Sequence, residues 1–76
     1  MNIKLKEVTI KEAIIALATE NVAITDFYIY EEDIGYVQIN EFFILENNDI
    51  EMGNHVVDIK NDYELNDKIF IKTIDN

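Results

Sequence analysis

The spacing of apolar and polar positions changes period early in the chain, and that change predicts the first two elements. Ile3-Lys4-Leu5-Lys6 alternates apolar and basic residues, the pattern of a short edge strand with its lysines outward. Thr9-Ile10-Lys11-Glu12 then fits a capping box, in which the threonine oxygen takes the Glu12 amide and Glu12 reaches back to the Thr9 amide. Strong helix formers follow, with Ile10, Ala13, Ile14 and Leu17 on one face, so a helix is expected from Ile10 to Glu20. Asn21 suits the left-handed residue that ends a helix. Ile15 falls off the apolar stripe and is either half-buried or a contact for a partner.

From Val22 the period becomes that of strands. Val22 to Glu31 is β-branched and aromatic, and Glu31-Glu32-Asp33-Ile34-Gly35 reads as a hairpin turn. Tyr36 to Leu45 is the expected return strand, with Val37, Ile39, Phe43 and Leu45 on one face. Glu41 falls on that same face, which calls for a bulge near Asn40-Glu41 or an exposed strand end. Glu46 to Asn54 reads as a polar connection containing Gly53, Val56 to Lys60 as a third strand, Asn61 to Asp67 as a polar turn and Lys68 to Ile74 as the last strand. The expected fold is α+β: one N-terminal helix packed across a three- to five-stranded, mainly antiparallel sheet. No linker, repeat or low-complexity segment divides the 76 residues, so residues 1–76 read as a single domain.

Composition confirms a packed core and removes much chemistry. Hydrophobic residues make up 49% of the chain, fourteen of them isoleucine, which is too apolar for a disordered acidic tail. Ser, Cys, Arg, Pro and Trp are absent. Without Ser and Cys the two commonest nucleophiles are missing, and without Cys there are no disulfides or thiolate metal sites. Without Arg there is no bidentate clamp for phosphate. The two glycines, Gly35 and Gly53, form no phosphate-cradling loop. The opening residues carry no long apolar run or small-residue cleavage site, and the longest apolar run, Ala13 to Ala18, is far short of a membrane span. A cytoplasmic protein with no membrane contact is the expectation.

Charge changes the picture most. The formal net charge is −10, beyond the magnitude of roughly 2–8 usual for a small domain. Between Lys11 and Lys60 lie 48 residues with eleven carboxylates and no lysine or arginine. These acids gather at the predicted turns: Glu31, Glu32 and Asp33; then Glu46, Asp49 and Glu51; then Asp58, Asp62, Glu64 and Asp67. In an antiparallel meander alternate turns emerge at the same end, so the first and third groups are expected to share a rim. Residues two apart on a strand are separated by roughly 6.7 Å, of the order of the spacing between successive phosphates. Such a surface repels nucleic acid and anionic membrane and attracts basic surfaces that hold DNA or RNA. Tyr28, Tyr30, Tyr36 and Tyr63 lie beside these acids, as strand-packing residues or as aromatic anchors of an interface.

In size, charge and class, the lysine-free segment and its acidic turns resemble the phage-encoded acidic inhibitors, including anti-CRISPR proteins and the uracil-DNA glycosylase inhibitors. The resemblance covers the whole chain. It implies a non-enzymatic inhibitor that occupies the nucleic-acid channel of a host nuclease or repair enzyme, with a basic nucleic-acid-binding host protein as partner and no direct nucleic-acid binding. A second resemblance is to small phage proteins that sequester nucleotide signals, through Thr9-Ile10-Lys11-Glu12-Ala13-Ile14 and Asp62-Tyr63-Glu64. Those proteins need cationic groups to hold phosphates, and the absence of arginine argues against that role here.

The remaining chemistry is sparse. His55 is the only histidine, and the Glu46 to Glu51 segment lacks the spaced Asp-x-Asp-x-Asp-Gly of a calcium loop, so neither metal nor cofactor is expected. Paired carboxylates in turns are solvated rather than pocketed, so no catalytic residue is assigned. Glu31, Glu32, Asp33, Glu46, Asp49, Glu51, Asp58, Asp62 and Glu64 are the candidate partner-binding residues. The alternative is a structural or regulatory interaction module whose acidity serves solubility. Its contact would be apolar, through Ile15, an open sheet face or an edge strand that forms a homodimer.

Overall fold

A computed structural model describes residues 2–75. It shows seven strands and one helix: β1 (Asn2–Thr9), α1 (Ile10–Thr19), β2 (Phe27–Glu31), β3 (Gly35–Gln38), β4 (Glu41–Ile44), β5 (Ile50–Asn54), β6 (Ile59–Tyr63) and β7 (Lys68–Asp75), with single 3-10 turns at Ile24–Asp26 and Glu46–Asn48. The fold is α+β, with the N-terminal helix packed against an antiparallel sheet. That sheet has four strands, ordered β1-β7-β2-β3. A second sheet, ordered β4-β5-β6, was not anticipated from the sequence.

The helix forms where its cap dictates. The Glu12 amide donates to Thr9 Oγ1 at 3.1 Å, and the Thr9 amide donates to Glu12 Oε1 at 2.9 Å. Ile10, Ala13 and Ala16 are buried, while Ile14 and Leu17 pack half-buried at the margin of the same core. The helix ends without a left-handed residue. Glu20 caps it in extended conformation (φ −117°, ψ 164°), and positive φ among the described non-glycine residues occurs at Asn47, Asn48 and Asp58, not at Asn21. The edge strand expected at Ile3 to Lys6 is β1, which runs on to Thr9 and pairs with β7 throughout its length.

The β2–β3 hairpin turns where expected, with Gly35 at φ +98°. Its first strand begins at Phe27 rather than Val22. The Ala23 amide donates to Asp26 Oδ2 at 2.9 Å, and this local turn withholds Val22 to Asp26 from the sheet. The expected strand Tyr36 to Leu45 is two strands in two sheets. The Ile39 amide donates to Phe27 O at 3.0 Å in the first sheet, and the next amide, Asn40, donates to Gly53 O at 3.0 Å in the second. The switch resets the alternation, so Phe42 packs against the core while Phe43 and Leu45 are exposed. No core-facing Glu41 is needed.

The expected polar connection Glu46 to Asn54 contains β5, the central strand of the second sheet, with Ile50 and Met52 buried. Val56 to Lys60 is mostly turn: Asn54 Oδ1 accepts the amides of Val56 (2.9 Å) and Val57 (3.3 Å), and strand begins only at Ile59. The polar turn expected from Asn61 therefore starts after Tyr63. Ten buried apolar residues from α1, β2, β3, β5, β7 and the Ile39 crossover form one core, and among the described residues no polar or charged side chain is buried. The molecule measures 40 × 31 × 19 Å.

Candidate protein-binding surface

Strand alternation sorts the second sheet into two faces. Ile50, Met52, Phe42 and Tyr63 face the core. Glu41, Phe43, Glu51, Gly53, Lys60 and Asp62 take the other face. Glu51 and Asp62 are direct cross-strand partners, a like-charge pair that is unfavourable unless a cation intervenes. Lys60 supplies one, its Nζ 3.6 Å from Glu51 Oε1. His55 Nδ1 lies 3.7 Å from Glu41 Oε1 on the same face. No strand carries two of the nine candidate acids at alternate positions, so the phosphate-like spacing expected along a strand is not formed there. The acids are grouped by turns and across strands instead.

Two of the acidic segments emerge at one end of the second sheet. Ile44, Ile50 and Tyr63 pair across the second sheet, so the β4–β5 turn with Glu46 and Asp49 lies at the same end as Glu64, which follows Tyr63. Glu31, at the end of β2, accepts a hydrogen bond from Asn61 Nδ2 in the middle of β6, and Asn61 in turn approaches the Tyr63 hydroxyl. Glu31 of the first acidic group thus touches β6, the strand that carries Asp62 of the third. Glu32 and Asp33 stand exposed at the tip of the adjoining hairpin. Asp58 is the exception. It sits at φ +57° in the β5–β6 turn, at the opposite end of the sheet.

Several carboxylates also shape backbone. Asp67 Oδ2 accepts the Glu64 amide at 2.7 Å, closing the turn before β7. Burial pushes the Tyr63 hydroxyl pKa up, opposed by the Asn61 hydrogen bond, while the charges of Glu31 and Asp67 push it further up. The Thr9 hydrogen bonds hold the Glu12 carboxyl below its ordinary value, outside the acidic end. Among the described residues no three of His, Asp and Glu gather closely enough to hold a metal ion, and no helix is long and apolar enough to cross a membrane.

Lysines segregate from this surface. Lys4 and Lys6 lie on β1, Lys11 on α1, and Lys68 and Lys72 on β7, leaving Lys60 alone on the second sheet. Between Phe27 and Tyr63 nine carboxylates face one lysine, so eight of the ten net negative charges belong to β2 to β6 and their turns. Lys68 Nζ is 3.6 Å from Glu7 and Lys72 Nζ is 3.6 Å from Asp26, both outside that stretch.

The tyrosines divide. Tyr63 is half-buried against the core. Tyr28, Tyr30 and Tyr36 share the outer face of the four-stranded sheet, where Phe70, which the sequence reading did not single out, joins them. Alternation along Lys68 to Ile74 was sufficient to place Phe70 opposite the buried Ile69, but not beside the tyrosines. Comparison with known proteins finds no matching family model, no matching curated protein and no matching solved structure.

Proposed function

We propose that this chain is a non-enzymatic, phage-encoded inhibitor that acts in the host cytoplasm. It blocks the nucleic-acid-binding surface of a defence nuclease such as a CRISPR effector by nucleic-acid mimicry. The observation that carries this reading is the segregation of charge: nine carboxylates against one lysine from β2 to β6, with the other five lysines on β1, α1 and β7. A field of one sign over one side of a small body steers a cationic partner into a defined orientation. Glu32, Asp33, Glu46, Asp49, Asp62 and Glu64 are exposed and would meet the partner, with the half-buried Glu31 and Glu51 beside them.

Displacement of a fluorescent duplex from a panel of bacterial nucleases tests this. The protein is expected to release the duplex from at least one member, and Glu32→Lys, Asp33→Lys and Glu64→Lys together are expected to weaken release while thermal unfolding stays cooperative. Failure to displace across the panel, or displacement indifferent to the three reversals, contradicts the proposal.

The alternative of an apolar interaction module draws on a separate observation. Phe43, Ile44, Leu45, Val56 and Val57 are exposed on and around the second sheet. If that surface is the contact, sizing of the purified protein shows a homodimer, and Phe43→Asp with Ile44→Asp makes it a monomer.

A further inference from the structure

Among the described residues no element covers the outer face of the four-stranded sheet, because α1 and the core side of the second sheet both contribute to the cluster on its inner face. Aromatic rings occupy the middle of this open face. Tyr30 and Tyr36 are cross-strand partners with ring centroids 5.1 Å apart and planes at 70°, and Tyr36 meets Phe70 at 5.1 Å and 89°. Tyr28 is opposite Phe70. Tyr30 and Tyr36 remain 57% and 53% exposed. Buried strand side chains would close such a set; here an edge-to-face cluster stands in solvent. One rung beyond Tyr30 and Tyr36, Glu31 turns to the opposite face, where it accepts a hydrogen bond from Asn61, and the exposed Glu32 and Asp33 follow at the hairpin tip. Lys68 and Lys72 flank Phe70 on this face, and each has its Nζ 3.6 Å from a carboxylate, Glu7 and Asp26 respectively.

We infer that this tyrosine face, with the Glu32-Asp33 tip, docks an arginine-bearing segment of the partner protein. The inference rests on the proposed inhibitor function for the cationic character of that partner. Guanidinium groups stack on aromatic rings and fork onto carboxylates, and here the exposed rings of Tyr30 and Tyr36 adjoin the hairpin tip that carries Glu32 and Asp33. Charge decides against the other occupants. A nucleic acid stacking its bases on the rings would bring phosphates against a tip without a single lysine. A second copy would bring another net charge of −10 against the first.

The test uses the full chain labelled for NMR and two probes of equal length, an arginine-glycine repeat peptide and a lysine-glycine repeat peptide. The ring resonances of Tyr30 and Tyr36 are expected to shift saturably with the arginine peptide. That peptide is expected to bind roughly two- to fivefold more tightly than the lysine peptide, the range for an exposed cation–π contact. Tyr30→Leu with Tyr36→Leu keeps apolar area on the strands and is expected to remove this preference while the buried methyl resonances stay dispersed. Shifts confined to the carboxylate turns, with silent rings, overturn the inference and leave the inhibitor reading standing. No binding of either peptide at low salt overturns both. Ring shifts that depend on protein concentration alone assign the face to a second copy, and ring shifts with a single-stranded oligonucleotide assign it to nucleic acid. Either result overturns the arginine assignment.

Discussion

Gly53 shows at the scale of one residue why sequence reading and structure part company in the second sheet. Its position in an acid- and asparagine-rich stretch reads as loop. In the structure it is buried in β5, and a Cβ there would lie 2.0 Å from Ile59 O and 3.0 Å from the Lys60 Cα. Only a residue without a side chain permits β6 to approach so closely. Gly53→Ala is therefore expected to destabilise by about 1–3 kcal/mol, the usual range for overpacking, measurable by urea denaturation. The Thr9 cap was fully legible, because its chemistry is local to four residues. Thr9→Ala is expected to cost about 1 kcal/mol at neutral pH. The Thr9 hydrogen bonds depress the Glu12 pKa, so the stabilisation they give is complete above the ordinary glutamate value of about 4.3 and is lost as pH falls through the depressed folded value. The difference between wild type and Thr9→Ala should thus narrow on acidification by the part due to the Thr9 Oγ1 to Glu12 carboxylate bond, and the part due to the Glu12 amide bond should remain. Tyr63 has the opposite sign. Burial raises its pKa, so its contribution is intact below about pH 10 and declines as pH rises towards the folded value. Tyr63→Phe is expected to flatten that alkaline loss in a pH series of thermal melts.

Elements were readable where periodicity and chemistry agreed and misread where a side chain redirected the backbone. The helix, the β2–β3 hairpin and β7 follow from period and cap. The strands of the second sheet did not, for two physical reasons. Ile50 and Met52 are the only buried side chains of β5 and are interleaved with Glu51 and Asn54, which hides a core strand behind polar composition. Val56 and Val57 have strong strand propensity, yet Asn54 captures both amides and Val56 stands 75% exposed. The two assignments separate cleanly by mutation. Met52→Ala is expected to lose about 2–5 kcal/mol as a core truncation, whereas Val56→Asp is expected to change stability by less than about 0.5 kcal/mol. A large loss at Val56 with none at Met52 would restore the strand boundaries expected from sequence. The candidate site inherits this history. Its hairpin tip was legible from Glu31 to Gly35, but the meeting of Glu31 with Asn61 depends on β6 beginning at Ile59 and on the crossover at Asn40, neither of which periodicity reveals.

At the scale of the molecule, the sequence displays an uncompensated acidic middle, and the fold assigns it to β2 to β6 and their turns, apart from the lysine-bearing β1, α1 and β7. β1 and β7, from the two ends of the chain, pair with each other and take four of the six lysines with them, and Lys11 follows at the start of α1. The crossover at Ile39-Asn40 carries the rest of the acidic segment into a sheet of its own. Such crowding of like charge costs stability through self-repulsion, so added salt is expected to raise Tm. A fall in Tm with salt would mean that the ion pairs of Glu51, Glu7 and Asp26 outweigh the repulsion. The central claim is that the acidic side is recognised as a whole by a basic, nucleic-acid-holding surface. The most direct measurement is the association rate with a nuclease that it inhibits, followed between about 50 and 200 mM salt for wild type and for the Glu32→Lys, Asp33→Lys, Glu64→Lys variant. A steep fall for wild type and a shallow one for the variant are expected; equal slopes for the two proteins would contradict the claim.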